Sequence, residues 1–416
     1  PDHLTTFYLM VSVGGALGGL FIGVAAPSFF NALYDLPVVI SITALLLAYL
    51  FWREYKGDGI AETAASGVMY QPALVIACVG GALGYGIFGA QGGAAGFAIG
   101  GVFALAVSFI RRSLSRAGSS ETARLFALAV AAGLAVGVTG FLVKDAWRSF
   151  SHARVLARNF YGALVVYDKS TDGSMGPVRV LQHGTIDHGE QFLWPQNQRF
   201  PTTYYARKSG IGLTIQTLQV QGPMTVGVIG LGAGTLTAYA RPVDHYHVYD
   251  INPLVLQIAQ TQFTFLRDCL GPHEVVLGDA RLSLEREPIQ KFDVLAVDAF
   301  SGDAIPVHLL TREAYRLYWR HLKPDGVLAV HVSNRYLTLG PVVALGAAEL
   351  GKTAKMLSFE TDDRDSTEES DSDWVLVTSR PGFFGQPELK SAHDIKPIGG
   401  LHMWTDDYSN LYRILR

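Results

Sequence analysis

Three carboxylates stand at the ends of successive short apolar runs. Asp250 follows Tyr246–Tyr249, Asp279 follows Val275–Leu277 within Gly278-Asp279-Ala280, and Asp298 follows Val294–Val297, with Asp303 five residues further on. Another run, Thr225–Ile229, leads into Gly230-Leu231-Gly232-Ala233-Gly234-Thr235. Glycines there let the backbone approach a ligand closely. An acid twenty residues after Gly230 suits the two hydroxyls of a ribose, and an acid beside Ala280 can accept from an adenine amino group. A nicotinamide-binding loop would carry glycine at 235, so Thr235 fits an adenosyl ligand without a pyrophosphate better. One such aspartate reads equally well as a helix N-cap or a solvated turn. Three at successive run ends are harder to explain that way.

These residues need a scaffold that brings run ends together. The runs at 225–229, 246–249, 275–277, 294–297 and 327–332 read as strands, and Leu254–Leu266 and Thr311–Leu322 as the clearest helices between them. Strand and helix in alternation predict a doubly wound parallel sheet, a Rossmann-like α/β domain over 223–416. Such a sheet binds ligands beyond the carboxyl ends of its strands. Residues 160–220 instead alternate apolar and polar in short runs such as Ala163–Tyr167 and Val178–Leu181. They predict a small antiparallel β-subdomain, placed with its linker at 146–222.

The first third has a different texture. Charged residues are 17% of the 416, below the roughly 25% of soluble domains. The deficit is concentrated: Thr63–Ile110 and Leu125–Val143 contain no Asp, Glu, Lys, Arg or His. About 20 apolar residues span a bilayer, and five stretches fit, at 5–26, 36–52, 72–89, 93–110 and 123–143. Residues 1–145 therefore read as an α-helical multi-pass membrane domain, with the lipid bilayer as partner, and a purely soluble enzyme is excluded. Glycine clusters such as Gly14-Gly15 and Gly80-Gly81 read as helix-packing sites. Arg53, Lys56, Arg111, Arg112 and Arg116 favour one face as cytoplasmic, while Lys144, Arg148, Arg154 and Arg158 favour the other. The chain begins at Pro1, and an upstream membrane segment is expected to precede it. A net charge of −3 argues against a nucleic-acid partner. Cys78 and Cys269 cannot build a thiolate metal site or a disulfide framework.

The stretch from about 155 to 410 resembles the spermidine synthase (polyamine aminopropyltransferase) family, specifically its bacterial membrane-fused relatives. The matching residues are Arg158-Asn-Phe-Tyr-Gly162, Leu181-Gln-His-Gly-Thr-Ile-Asp-His-Gly-Glu-Gln191, Tyr204-Tyr205 with Ser209-Gly-Ile-Gly212, Val297 through Pro306, and Trp404-Thr-Asp-Asp407. The start, from Leu4 to Ala26-Pro27, is similar to the later membrane helices of those proteins. The resemblance implies S-adenosylmethionine or its decarboxylated form as co-substrate, without a metal. Gly230, Gly232, Gly234, Asp250, Asp279 and Ala280 would hold it. Asp298, with Asp303, would be the catalytic acid that assists an attacking amine. Asp187, His188, Gln191, Tyr204, Tyr205, Asp406 and Asp407 would face the substrates. A polyamine-like amine is the implied acceptor, methylthioadenosine the product, and a homodimer is compatible with the family. The catalytic domain is expected in the cytoplasm, where the donor is made.

Departures from the family pattern bear on the donor. The loop acid that holds the donor's free amine is here Ala233, the hairpin glutamine is Asp187, and the following His-Glu pair is Tyr205-Ala206. Either the amine is held differently or the donor is intact S-adenosylmethionine. His183 and His188 bracket Asp187, but without a convincing third ligand they read as hydrogen-bonded pocket residues. Asp406 and Asp407 either pair with acceptor ammonium groups or cap a helix before Tyr408. The acidic run Glu360–Asp373 reads as a solvated loop, or as an attractor of polycations. Rival readings are an acceptor-free cyclisation of the donor, a methyltransferase, and a non-catalytic module that senses or transports a nucleoside or polyamine.

Overall fold

A computed structural model describes residues 4–56, 121–171, 173–184, 186–299, 306–361 and 369–416. Two compact units divide the chain: Tyr34–Ser151, and the segment up to Leu33 together with His152–Arg416. The second unit opens on helix α1, which runs Leu4–Leu20 and continues through a π-helical turn, Phe21–Ala25, to Phe29. From Leu4 to Leu20 its side chains are exposed all round, as expected of a helix that faces lipid or a partner. Among the described residues, Leu4–Phe29 is the one helix long and apolar enough to cross a membrane. The other unit contains α2 (Asp35–Lys56) and α3 (Glu121–Phe150), whose apolar stretches, Pro37–Leu46 and Leu128–Lys144, are shorter. The expected spans at 36–52 and 123–143 are thus helical, and those at 72–89 and 93–110 lie outside the described residues.

The β-subdomain is a four-stranded antiparallel sheet in the order β1 (Ala153–Asn159), β2 (Gly162–Lys169), β3 (Val178–His183) and β4 (Ile186–Phe192). A tight turn, Phe160-Tyr161, joins β1 to β2. The next elements are α4 (Gly210–Gln219), β5 (Thr225–Ile229), β6 (His245–Asp250), α5 (Pro253–Gln262), β7 (His273–Leu277), α6 (Ala280–Arg286) and β8 (Phe292–Val297). They are followed by α7 (Arg312–His321), β9 (Leu322–His331), α8 (Gly340–Glu349), β10 (Thr353–Phe359) and β11 (Ser372–Thr378). The seven strands pair in the order β10-β11-β9-β8-β5-β6-β7, with β5 to β9 parallel and the last two antiparallel.

Strand β8 shows why the sheet is covered on both faces. Its alternate residues Val294 and Ala296 join the core beneath α4 and α5, while Leu295 and Val297 join the core beneath α7 and α8. On α7 the buried residues Ala314, Tyr315, Leu317, Tyr318 and His321 repeat at helical spacing. Chain order reverses between β5 and β8, which creates a crevice at their carboxyl ends. Three expectations shift in detail. Helix α5 stops at Gln262 rather than Leu266, β9 starts at Leu322 rather than at 327, and β10–β11 form an unforeseen antiparallel edge that takes in the end of the acidic run.

Asp244 pins the start of this sheet. Fully buried, it accepts from the Met224 and Arg241 amides at 3.1 Å each and from the Arg241 guanidinium at 2.9 Å. Burial works to raise its pKa, but these hydrogen bonds outweigh burial and lower it. A depressed carboxyl stabilises the fold above its unfolded pKa and stops doing so as pH falls through the folded value. Asp244→Asn is therefore expected to cost about 2 kcal/mol at neutral pH. In urea melts this difference should shrink below about pH 4; a constant difference would remove the ionised group from the account.

Candidate active site

The crevice at the β5/β8 crossover is a cavity whose walls include Gly230, Gly232, Asp250, Asp279, Ala280, Asp298, His188 and Tyr205. Those eight of the residues singled out in the sequence converge there. Each strand end supplies its residue by a local device. Asp250 closes β6, where its two carboxylate oxygens accept from the backbone amides of Leu231 (2.9 Å) and Asn252 (2.8 Å). One lone pair on each oxygen is thereby left for a diol. Burial raises its pKa despite these amides. Asp279 caps α6 through the Leu282 amide (2.9 Å), and its second oxygen pairs with His308 Nε2 at 2.8 Å. One side chain thus caps a helix and lines the cavity.

Asp298, at the end of β8, is the most constrained acid. Its Oδ1 lies 2.7 Å from His331 Nδ1, and Tyr205 donates to its Oδ2. Burial would raise its pKa, but the charge and hydrogen bond of His331, followed by Tyr205, lower it. The carboxyl is therefore an anion at neutral pH although its side chain is only 4% exposed. Burial lowers the His188 pKa to about 4, so that ring is neutral, and its buried Nε2 has no hydrogen-bond partner among the described residues. Acids beside a neutral His188 favour a cationic ligand.

Other expected site residues lie elsewhere, each for a visible reason. The Gln191 carboxamide is buried and saturated by Gln198 O, Thr264 Oγ1 and the Thr264 amide. Tyr204 is stacked behind Tyr205 on the His331 ring, 4.7 Å away. Asp187 points to the exposed side of β4 and accepts from Gln182 at 3.3 Å. Asp406 does not await an ammonium: Arg281 grips it bidentately at 2.7 and 2.5 Å, and Thr311 donates to it at 2.8 Å. Exposed Asp407 lines a neighbouring recess with Arg281 and His308. Gly234 packs against Phe265 and Leu266, behind the loop. Asp303 lies outside the described residues.

Ala233 is fully buried, and a Cβ added at Gly189 would lie 2.7 Å from its own Cβ. Strand β4 thus occupies the space in which an acid at 233 would hold a donor amine. The structure also adds wall residues that the sequence did not single out. Asn252 caps α5 and accepts from Asn159 at 2.7 Å, which ties the β1–β2 turn and its Tyr161 to the cavity. His308 is a further wall residue, and His331 sits behind Asp298, off the wall.

No family model matches the chain. Polyamine aminopropyltransferase of Vibrio vulnificus is 35% identical to it over 151 residues, covering 35% of this chain and 46% of that protein. The eEF1A lysine and N-terminal methyltransferase of Danio rerio is 37% identical over 87 residues, 20% of this chain and 12% of that protein. The crystal structure of a probable spermidine synthase from Corynebacterium glutamicum aligns with a TM-score of 0.42 and 18% identity, over 54% of this chain and 81% of that one. The chain spans less than half the length of the curated relatives it matches. Over the residues shared with the Vibrio protein, the chain is similar to a polyamine aminopropyltransferase.

Proposed function

We propose that this site moves the three-carbon arm of S-adenosylmethionine, or of its decarboxylated form, to a polyamine-like amine. One observation carries the reading: the Asp298 carboxylate, its pKa held down by His331 and Tyr205, lies on the wall of a cavity that Gly230, Gly232 and Asp250 also line. An ammonium has no lone pair, so it must first give a proton, here to Asp298. The freed nitrogen attacks the methylene beside the sulfonium. The N–C bond forms as the C–S bond breaks, the bonding pair stays on sulfur, and methylthioadenosine leaves as a neutral thioether. The glycine loop and Asp250 would hold the adenosyl group so that nucleophile, carbon and sulfur are in line.

The burial of Ala233 supports a donor tail held otherwise than from the loop. Mass spectrometry of the purified protein with each donor, with and without candidate amines, tests the proposal. Methylthioadenosine that appears only with an amine supports transfer, whereas its release without amine supports cyclisation. A second reading, methyl transfer, draws on the segment similar to the Danio methyltransferase and would yield S-adenosylhomocysteine instead. We also propose a multi-pass membrane protein with this domain on the cytoplasmic side; the apolar helix Leu4–Phe29 supports membrane association, and the cytoplasmic placement rests on where the donor is made. Protease accessibility in sealed vesicles tests the orientation.

A further inference from the structure

The imidazole of His331 contacts Asp298 yet is absent from the cavity wall. Its Nε2 lies 2.9 Å from Ser333 Oγ, and that oxygen accepts from the Asp373 amide at 2.8 Å. Ser333 thus fixes the Nε2 side of the ring. An ionised carboxylate only accepts, so Nδ1 presents its proton to Asp298. The ring is also clamped, with Tyr204 stacked on it at 4.7 Å and Trp374 at 4.9 Å. Such a ring has little freedom to turn, and neither has the carboxylate it meets. The ionisable groups that face Asp298 are His331 from β9, Tyr205 and Tyr204 from the turn after β4, and His188 from β4 itself.

We infer that His331 is the positioning residue of the transfer reaction: hydrogen-bonded to Asp298 and clamped between two aromatic rings, it aims the carboxylate into the cavity, ready for the acceptor's proton. This rests on the reading of Asp298 given under Proposed function. The proton passes from the ammonium nitrogen to the carboxylate and returns to water when product leaves, so no further reactant is needed. Without His331 the burial of Asp298 is unopposed by its strongest partner. The acid limb of the rate profile must then move to higher pH.

The experiment compares wild type, His331→Ala and His331→Asn by the pH dependence of kcat/KM for the amine. His331→Ala is expected to lower kcat about 100-fold and shift the acid limb upward. His331→Asn, which can still offer an N–H towards Oδ1, should recover about tenfold in kcat without restoring the limb. A uniform loss at every pH with no recovery in His331→Asn would overturn the inference. A measurement independent of turnover accompanies it: NMR titration of the labelled His331 ring in wild type and in Asp298→Asn. The two titrations should differ, and identical curves would also overturn it. Should wild type convert no amine, the reading of the reaction fails, and the ring titration alone decides whether the pair exists.

Discussion

Asp298→Asn is expected to lower kcat by about 1,000-fold while affinity for methylthioadenosine changes less than about threefold. The asymmetry follows from what the side chain does. Asn keeps the shape of Asp and can still accept from Tyr205 or His331, so the buried cluster and the Gly230 loop stay in place. It cannot take a proton, and it removes the negative charge that a cationic donor and an ammonium acceptor would both meet. The residues proposed to bind the adenosyl group, Asp250 and the loop, are untouched, and methylthioadenosine carries no sulfonium charge. It is therefore a suitable calorimetric probe of binding separate from chemistry. Turnover within tenfold of wild type would remove Asp298 from the mechanism. A matching loss of methylthioadenosine binding would make it a binding residue instead.

The part of this cluster legible in the sequence was the part with a local signature. Strand ends followed by acids placed Asp250, Asp279 and Asp298 correctly, because in a doubly wound sheet the strand ends share one crevice. His331 carried no such mark. It follows Ala329 and Val330 in an apolar strand, and its pairing with Asp298 depends on β8 and β9 being neighbours in the sheet. The available cue was that neighbourhood: a polar residue ending the strand next to the one that ends in the candidate base. Asp406 failed in the opposite way. Its motif suggested a substrate contact, but Arg281 sits 125 residues away in sequence and only the fold shows that it claims the carboxylate. Gln191 was misread for a similar reason, since Thr264 satisfies it from a loop beyond α5. The β10–β11 edge was not anticipated because an acidic run separates its two strands, and such runs read as loop.

The acids and the loop meet at one crowded point, and Gly230→Ala tests it. Gly230 has φ +103°, and a Cβ there would lie 2.1 Å from the Asp298 carbonyl oxygen and 2.8 Å from its carbon. Neither partner can give way cheaply. The Gly230 amide donates to Tyr249 O at 2.8 Å, and the Asp298 amide donates to Ile229 O at 2.8 Å. Relief would require parting β5 from β8 at the end that carries the site. The expected result is a loss of roughly 3 kcal/mol or more in stability, together with at least a hundredfold weaker binding of methylthioadenosine. Backbone strain and steric overlap can be told apart with Gly351→Ala. Gly351 also has positive φ, +63°, but a Cβ there meets nothing within 4 Å, so its cost should be about 1 kcal/mol. Denaturant melts of both variants make the comparison. Equal losses would mean that the close approach of the loop to Asp298 does not matter, and that the glycine serves only its own torsion. A larger loss at Gly230, accompanied by loss of the adenosyl probe, would tie donor binding to the same backbone contact that presents the proposed catalytic carboxylate.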